Sequence, residues 1–180
     1  MKLKHFILLV LLIFSNISCA IFKEDAAIYR DALNNVRLDN LDFAFMKFRE
    51  LENNFPTSNY LAAVKFGMAE YLFLQGDYSN ASSKLIEYIK EYSQSKAVVF
   101  AEAILYKILS EKMKGEDLKD TETIKGVIKK HYFSNSIFFI FSEYKTKSYY
   151  SVLGNRYRIY EYVDRIEVFK NNELFLKVTP

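Results

Sequence analysis

The sequence predicts a mainly α-helical protein in which two to three helical hairpins form a short solenoid, followed by a small β-hairpin or meander at the C-terminus. The chain matches itself when it is shifted by 37 residues. Between residues 25 and 93, apolar residues recur at spacings of three and four, as on one face of a helix. From Tyr149 onward, aromatic and β-branched residues alternate with polar ones, a pattern typical of half-buried strands.

The first eighteen residues have the three-part layout of a secretory signal. A basic head with Lys2 and Lys4 precedes an apolar run from Phe6 to Phe14, and a small polar stretch follows. Such a run spans about 14 Å as a helix, roughly half of a bilayer's hydrocarbon core, which disfavours a transmembrane anchor. We therefore expect residues 1–18 to be a signal peptide and residues 19–24 to be a tether.

Cys19 is the sole cysteine and lies at the end of this signal, directly after Ser18. The segment resembles a bacterial lipoprotein signal, in which a small residue precedes a cysteine that is acylated and becomes the new N-terminus. The resemblance implies lipidation of Cys19 and attachment to a membrane through its acyl chains. Asn16 stands where such signals usually carry Leu, so a second interpretation stays open, in which a signal peptidase cuts after Ala20.

The self-similarity defines two repeat units, residues 25–56 and 58–93. Shifting the chain pairs small residues with small ones, Ala32 with Ala69 and Ala44 with Ala81. Bulky residues also pair, for example Leu41 with Tyr78 and Phe48 with Leu85. This combination of small and bulky positions is what two closely crossing helices require, so each unit is predicted to be a helical hairpin.

Turn residues separate the predicted helices. Asp39-Asn40 divides the first hairpin and Gly76-Asp77 divides the second, and these residue types tolerate the backbone conformations at helix ends. Pro56 ends one helix, and Thr57 or Ser58 can cap the next.

A degenerate third repeat is predicted over residues 96–133. Its first helix would run from Ala97 to Lys114, and its second from Thr121 to Tyr132, although Gly126 lies near the position of the packing aromatic residue.

Residues 137–180 form a strand-rich C-terminal segment. Alternating residues on both sides of Asn171-Asn172 predict a hairpin, and Tyr157 to Tyr162 supplies a candidate third strand.

The spacing of these residues resembles the tetratricopeptide repeat, abbreviated TPR. The matching positions are Ala32, Leu41, Ala44, Phe48 and Pro56 in the first unit, and Ala69, Tyr78, Ala81, Leu85 and Ser93 in the second, where Ser93 departs from the usual Pro. The runs 55–60 and 76–81 also look like the repeats of BamD-type outer-membrane lipoproteins, which begin with a lipidated cysteine. This resemblance covers about residues 19–110 and implies a helical scaffold that binds proteins.

Composition and motifs exclude several functional classes. The formal net charge of +3 falls to +1 without Lys2 and Lys4, so the mature chain lacks the positive charge of a nucleic-acid binder. Two histidines and one cysteine are too few for a typical zinc, iron–sulfur or haem site, and we expect no metal and no cofactor. His131 lies among cations at a predicted helix end, where a structural role is expected. No phosphate loop, nucleophile elbow or paired carboxylate motif is present, so the sequence predicts no enzyme.

The sequence therefore predicts a lipid-anchored TPR scaffold in the cell envelope, at the outer membrane and facing the periplasm. Its partner would be a protein, with a β-barrel assembly protein as the candidate that the BamD resemblance implies. The inner face of each hairpin's first helix is the expected binding groove. Its candidate residues are Tyr29, Leu33, Val36, Phe66, Glu70 and Phe73, each of which could equally pack between repeats. The same residues would serve an adaptor in envelope division or peptidoglycan processes, and a third hypothesis is an envelope enzyme with its site in the C-terminal segment.

Overall fold

The computed structural model describes residues 24–112, 145–162 and 165–179. The predictions for the signal peptide, for Cys19 and for the second helix of the third repeat concern residues outside these ranges. The chain divides into two compact units, Met1–Leu61 and Ala62–Pro180, and each is described by itself.

The first unit is a helical hairpin. Helix α1 covers residues 24–37 and α2 covers Leu41–Asn54. Asp39, between them, has a left-handed φ of 58°, a conformation that Asp tolerates better than most residues. The hairpin closes around four side chains with no exposed surface: Ala32, Ala44, Phe48 and Leu51.

A buried polar contact closes the open end of this hairpin. Ser58 Oγ donates a hydrogen bond to Asp25 Oδ2 at 2.7 Å, and both residues are buried. The same Ser58 Oγ accepts a hydrogen bond from the Tyr60 N–H at 3.3 Å, just before the next helix. Because α3 begins at Leu61, this Ser58 contact lies in the turn before the helix and is not a hydrogen bond to an N–H group of the helix itself.

The second unit contains the next three helices. Helix α3 covers Leu61–Leu74, α4 covers Tyr78–Glu91 and α5 covers Val98–Lys107, which continues as a π-helical turn over Ile108–Lys112. Between α3 and α4, Gly76 has a φ of 78°, which glycine adopts without strain. The Asp77 carboxylate then accepts from the Asn80 N–H at 3.3 Å and caps α4.

A cation joins the first two of these helices. Lys65 Nζ on α3 lies 3.0 Å from the Glu87 carboxylate and 2.5 Å from that of Glu91, both on α4. Glu87 therefore pairs across the hairpin with Lys65. In the first unit, Lys47 Nζ on α2 lies 2.9 Å from the carboxylate of Glu50 on the same helix and 3.5 Å from that of Asp31 on α1.

A four-stranded antiparallel meander completes the second unit. Strands β1 (Lys145–Tyr150), β2 (Arg156–Glu161), β3 (Ile166–Lys170) and β4 (Glu173–Val178) lie in the order β1-β2-β3-β4. Asn171 and Asn172 take left-handed φ values of 51° and 72° in the β3–β4 turn, as expected of a tight hairpin. The predicted hairpin and the strand after Tyr157 are confirmed, and β1 is a strand that the sequence analysis did not identify.

One face of this sheet packs on the helices. Its inward side chains are Tyr157, Ile159, Ile166, Val168, Leu176 and Val178, all buried in one cluster with residues of α3, α4 and α5. Ala69 and Ala81 belong to the same cluster and have no exposed surface. The predicted fold class, helical hairpins followed by a β-meander, is confirmed. No helix within the described ranges is both long and apolar enough to cross a membrane.

Candidate functional site

The inner face of α3 carries three of the candidate groove residues, and in the structure it faces the sheet. Phe66 has no exposed surface, and its ring meets Tyr149 and Tyr157 edge-on, with centroids 5.2 and 6.2 Å away. Phe73, one turn beyond Glu70, is half-buried and meets Phe175 of β4 edge-on at 5.8 Å. These aromatic contacts hold the sheet against α3, the helix that was expected to line a partner-binding groove.

Glu70, between these two rings, is the polar centre of the contact. Its Oε1 accepts hydrogen bonds from the Tyr157 hydroxyl at 2.5 Å and from Asn155 Nδ2 at 2.8 Å. Glu70 is fully buried, and its Oε2 has no hydrogen-bond partner among the described residues. Burial raises the pKa of the Glu70 carboxyl above its usual range, because the charged form loses its hydration.

Burial also shifts the pKa values of two groups beside Glu70. Burial, and next the Glu70 charge, raise the pKa of the Tyr157 hydroxyl, so this residue acts as a hydrogen-bond donor at neutral pH. Burial lowers the pKa of Lys170 on β3, while the Glu70 carboxylate opposes that shift. The cluster thus consists of the buried Glu70 and Tyr157 with the half-buried Asn155 and Lys170, and its hydrogen bonds fix the position of the sheet on α3.

Helix α5 holds the last strand through Lys107. Its ammonium donates a hydrogen bond to the Phe175 carbonyl oxygen at 2.7 Å and lies 4.9 Å from the centroid of the Phe175 ring. Phe175 is the extra residue where the β3–β4 register shifts, since Leu174 pairs with Phe169 and Leu176 pairs with Val168. Lys107 therefore satisfies a carbonyl group at an edge strand that would otherwise be open to pairing.

The other three groove candidates lie on α1 in the first unit. Tyr29, Leu33 and Val36 are half-buried and follow one another at helical spacing, so they share one face of the helix. The Tyr29 ring stacks on Tyr60 with centroids 4.2 Å apart and an interplanar angle of 13°. Burial raises the pKa of the Tyr29 hydroxyl.

Sequence reasoning missed the strand residues that meet α3 and α5. Asn155 and Tyr157 reach Glu70 from 85 and 87 residues away, and Lys107 reaches Phe175 across 68 residues. No local sequence pattern predicts contacts between residues that lie so far apart in the chain. A polar residue on the inner face of a helix, at Glu70, was the one available signal that a polar partner was required.

The side chains that meet at Glu70 within the described ranges are aromatic, amide and carboxyl groups. No group of three or more His, Cys, Asp or Glu side chains there could hold a metal ion. The aromatic rings and the buried carboxyl on this face of α3 contact strands of the same chain.

Comparison with known families identifies the chain. Residues 22–137 match the family model YfiO, described as outer membrane lipoprotein. Neither a search of curated proteins nor a search of solved structures gave a match. The matched range contains α1 to α5, the helical hairpins that the sequence analysis compared with BamD-type repeats. The chain therefore belongs to the YfiO family of outer-membrane lipoproteins, the BamD-like TPR proteins.

Proposed function

We propose that this protein is a lipid-anchored, non-enzymatic TPR scaffold that faces the periplasm and holds a protein of the outer-membrane protein assembly machinery. The family match over residues 22–137 carries the proposal, because it covers the helical hairpins and names an outer-membrane lipoprotein. The family is one of scaffolds, and the buried aromatic and carboxyl groups of the described site are of the kind that bind polypeptide.

In the first unit, the proposed partner surface is the α1 face with Tyr29, Leu33 and Val36. Half-buried apolar side chains at helical spacing present the kind of stripe that a partner helix or an extended peptide covers. Tyr29 is held in place by its stacking on Tyr60, so this surface is already organised before a partner arrives.

In the second unit, the proposed partner contacts are Phe66, Glu70 and Phe73. The sheet occupies them in the structure, and Phe66 and Glu70 have no exposed surface. A partner segment that binds these three residues therefore takes the place of the sheet, which makes the sheet a competitor for the same face of α3.

The first experiment tests the α1 surface. Tagged protein with Leu33→Gln and Val36→Gln is used to pull down partners from solubilised envelopes, beside wild type and the control Asn34→Gln with Arg37→Gln, which changes exposed positions on the same helix. We expect wild type and control to recover a barrel-assembly protein and the first variant to lose it. Equal recovery by all three would refute the α1 surface, and recovery of division or cell-wall proteins would favour the adaptor function instead.

A second pair of variants tests competition on α3. Tyr157→Phe removes one donor to Glu70 and weakens the seat of the sheet, so it should increase partner recovery. Phe66→Ala with Phe73→Ala, shown to be folded by circular dichroism, should decrease it. Lys177→Ala, an exposed change on β4, is the control. Unchanged recovery with Tyr157→Phe would show that the sheet does not compete.

The proposed anchor is Cys19. Cys19→Ala should release the protein from the membrane fraction and leave the circular dichroism spectrum unchanged, since the substitution precedes the helices and strands of the structure. Labelling with a radioactive fatty acid provides the direct measurement. Absence of label in wild type would show that the cysteine is not acylated.

A further inference from the structure

The outward face of the sheet has a composition that the partner-binding proposal does not use. Strand β2 alternates, with Tyr157 and Ile159 buried against the helices and Arg156, Arg158 and Tyr160 on the opposite side. The strand register places further residues beside these three on the same side. We call this surface the outer sheet face, and it includes Tyr150, Arg156, Arg158, Tyr160, Glu167, Phe169, Leu174 and Lys177.

Aromatic rings and guanidinium groups interleave across the outer sheet face. The Arg156 guanidinium lies 5.4 Å from the centroid of the Tyr150 ring, and that of Arg158 lies 5.7 Å from the Tyr160 ring. Tyr160 in turn meets Phe169 edge-on at 5.5 Å. Tyr150 is 63% exposed, so a large ring stands in solvent beside a cation.

The charge of this face is positive and largely uncompensated. Arg158 donates a hydrogen bond to the Asn172 side chain, and neither Arg156, Arg158 nor Lys177 forms an ion pair within the described part of the chain. The face also carries the carboxylate of Glu167, which lies opposite Tyr160 and Lys177 in the strand register and is held by Arg165 Nε at 2.8 Å. Three cations are therefore available to an anionic ligand.

These features match the chemistry of a phospholipid headgroup layer. Arg and Lys bind phosphate oxygens, while Tyr and Phe place their rings at the boundary between headgroups and acyl chains. Four strands at their usual spacing make a surface about 14 Å wide, enough to meet several headgroups at once. The family of this chain is an outer-membrane one, so a membrane is the extended anionic surface that lies within reach.

We propose that the outer sheet face binds a membrane surface rich in anionic phospholipids. This contact is separate from acylation of Cys19 and from the partner contacts on α1 and α3. Because the opposite face of the sheet is closed on the helices, membrane binding on this side leaves the packing against α3 and α5 intact.

The test uses the chain from Ala20 onward, which keeps every described helix and strand and lacks both Cys19 and the apolar run before it. Binding is measured by flotation with vesicles of phosphatidylcholine alone and of phosphatidylcholine mixed with phosphatidylglycerol. We expect binding to the mixed vesicles only, and its loss in high salt. Arg156→Gln with Arg158→Gln should weaken binding about tenfold or more, since each basic residue near an anionic surface contributes about 1 kcal/mol.

The matched control is Lys90→Gln with Lys96→Gln, which removes two exposed charges that are not on the strands and should bind like wild type. If the arginine variant proves unfolded by circular dichroism, Arg156→Gln with Lys177→Gln replaces it, because both of these residues are exposed. Equal binding to the two vesicle types, or equal loss in the lysine control, would overturn the proposal. Failure to bind either vesicle type would also overturn the proposal. If the protein then forms a concentration-dependent dimer that the arginine variant abolishes, the face binds a second copy of the chain.

Discussion

A buried acid on α5 should make the stability of the protein depend on pH. Glu102 is 6% exposed, and burial raises the pKa of its carboxyl from 4.5 to about 7, while Lys147 on β1 opposes the shift. As the pH rises from 4.5 to 7, the unfolded chain releases this proton and the folded chain keeps it. The free energy of unfolding therefore falls across this window and levels off above it.

The expected size follows from the two pKa values. A difference between 4.5 and about 7 corresponds to about 3 kcal/mol, a large part of the stability of an ordinary domain. Glu102→Gln keeps the shape of the side chain and removes the charge that must be buried. The variant should match wild type near pH 4.5 and exceed its unfolding free energy by about 3 kcal/mol at pH 8.

Urea denaturation at several pH values, followed by circular dichroism, measures this difference. Glu70 contributes a slope of the same sign, but it is present in both proteins, so the difference between the two curves isolates Glu102. Parallel curves for wild type and Glu102→Gln between pH 5 and 8 would refute the reasoning, because they would show that the Glu102 carboxyl ionises alike in the folded and unfolded chains.

Four further substitutions test other parts of the fold, each by thermal or urea denaturation. Tyr157→Phe removes the hydroxyl donor to Glu70 and should lower the unfolding free energy by about 1–3 kcal/mol; an unchanged value would mean that this hydrogen bond contributes nothing. Ala44→Leu and Ala81→Leu place larger side chains where no surface is exposed and should each lower it by about 1–3 kcal/mol; if both are neutral, the predicted close helix contacts are wrong. Asp77→Ala removes the side chain that caps α4 and should lower the unfolding free energy by about 1 kcal/mol. No change would show that water replaces this cap without loss of stability.

Much of the helical part could be predicted because its determinants are local. Ala44 and Ala81 recur at the repeat period, and Asp39 and Gly76 sit where the backbone must turn left-handed. The β3–β4 hairpin was equally readable, since Asn171 and Asn172 are residues that accept the positive φ of a tight turn. Each of these signals acts within a few residues of its effect.

The sheet's position and the first strand had no such local signal. Strand β1 has the sequence KTKSYY, without the apolar alternation that marks a half-buried strand. The partners of Glu70 come from β2 and the turn before it, and periodicity within α3 cannot distinguish a groove from a face covered by the chain itself. The neighbours of Phe66 therefore emerged only from the structure.

The long separation between Glu70 and Tyr157 has a consequence for biosynthesis. While the chain is being made, the helix that bears Phe66 and Phe73 is complete long before the strands that cover it exist. During that interval the aromatic face of α3 is exposed to other molecules. The strands cover it only through contacts between distant parts of the chain, which form slowly during folding. A truncated chain that ends before Lys145 would lack the strands that cover this face of α3. Such fragments would therefore be targets for proteases and chaperones.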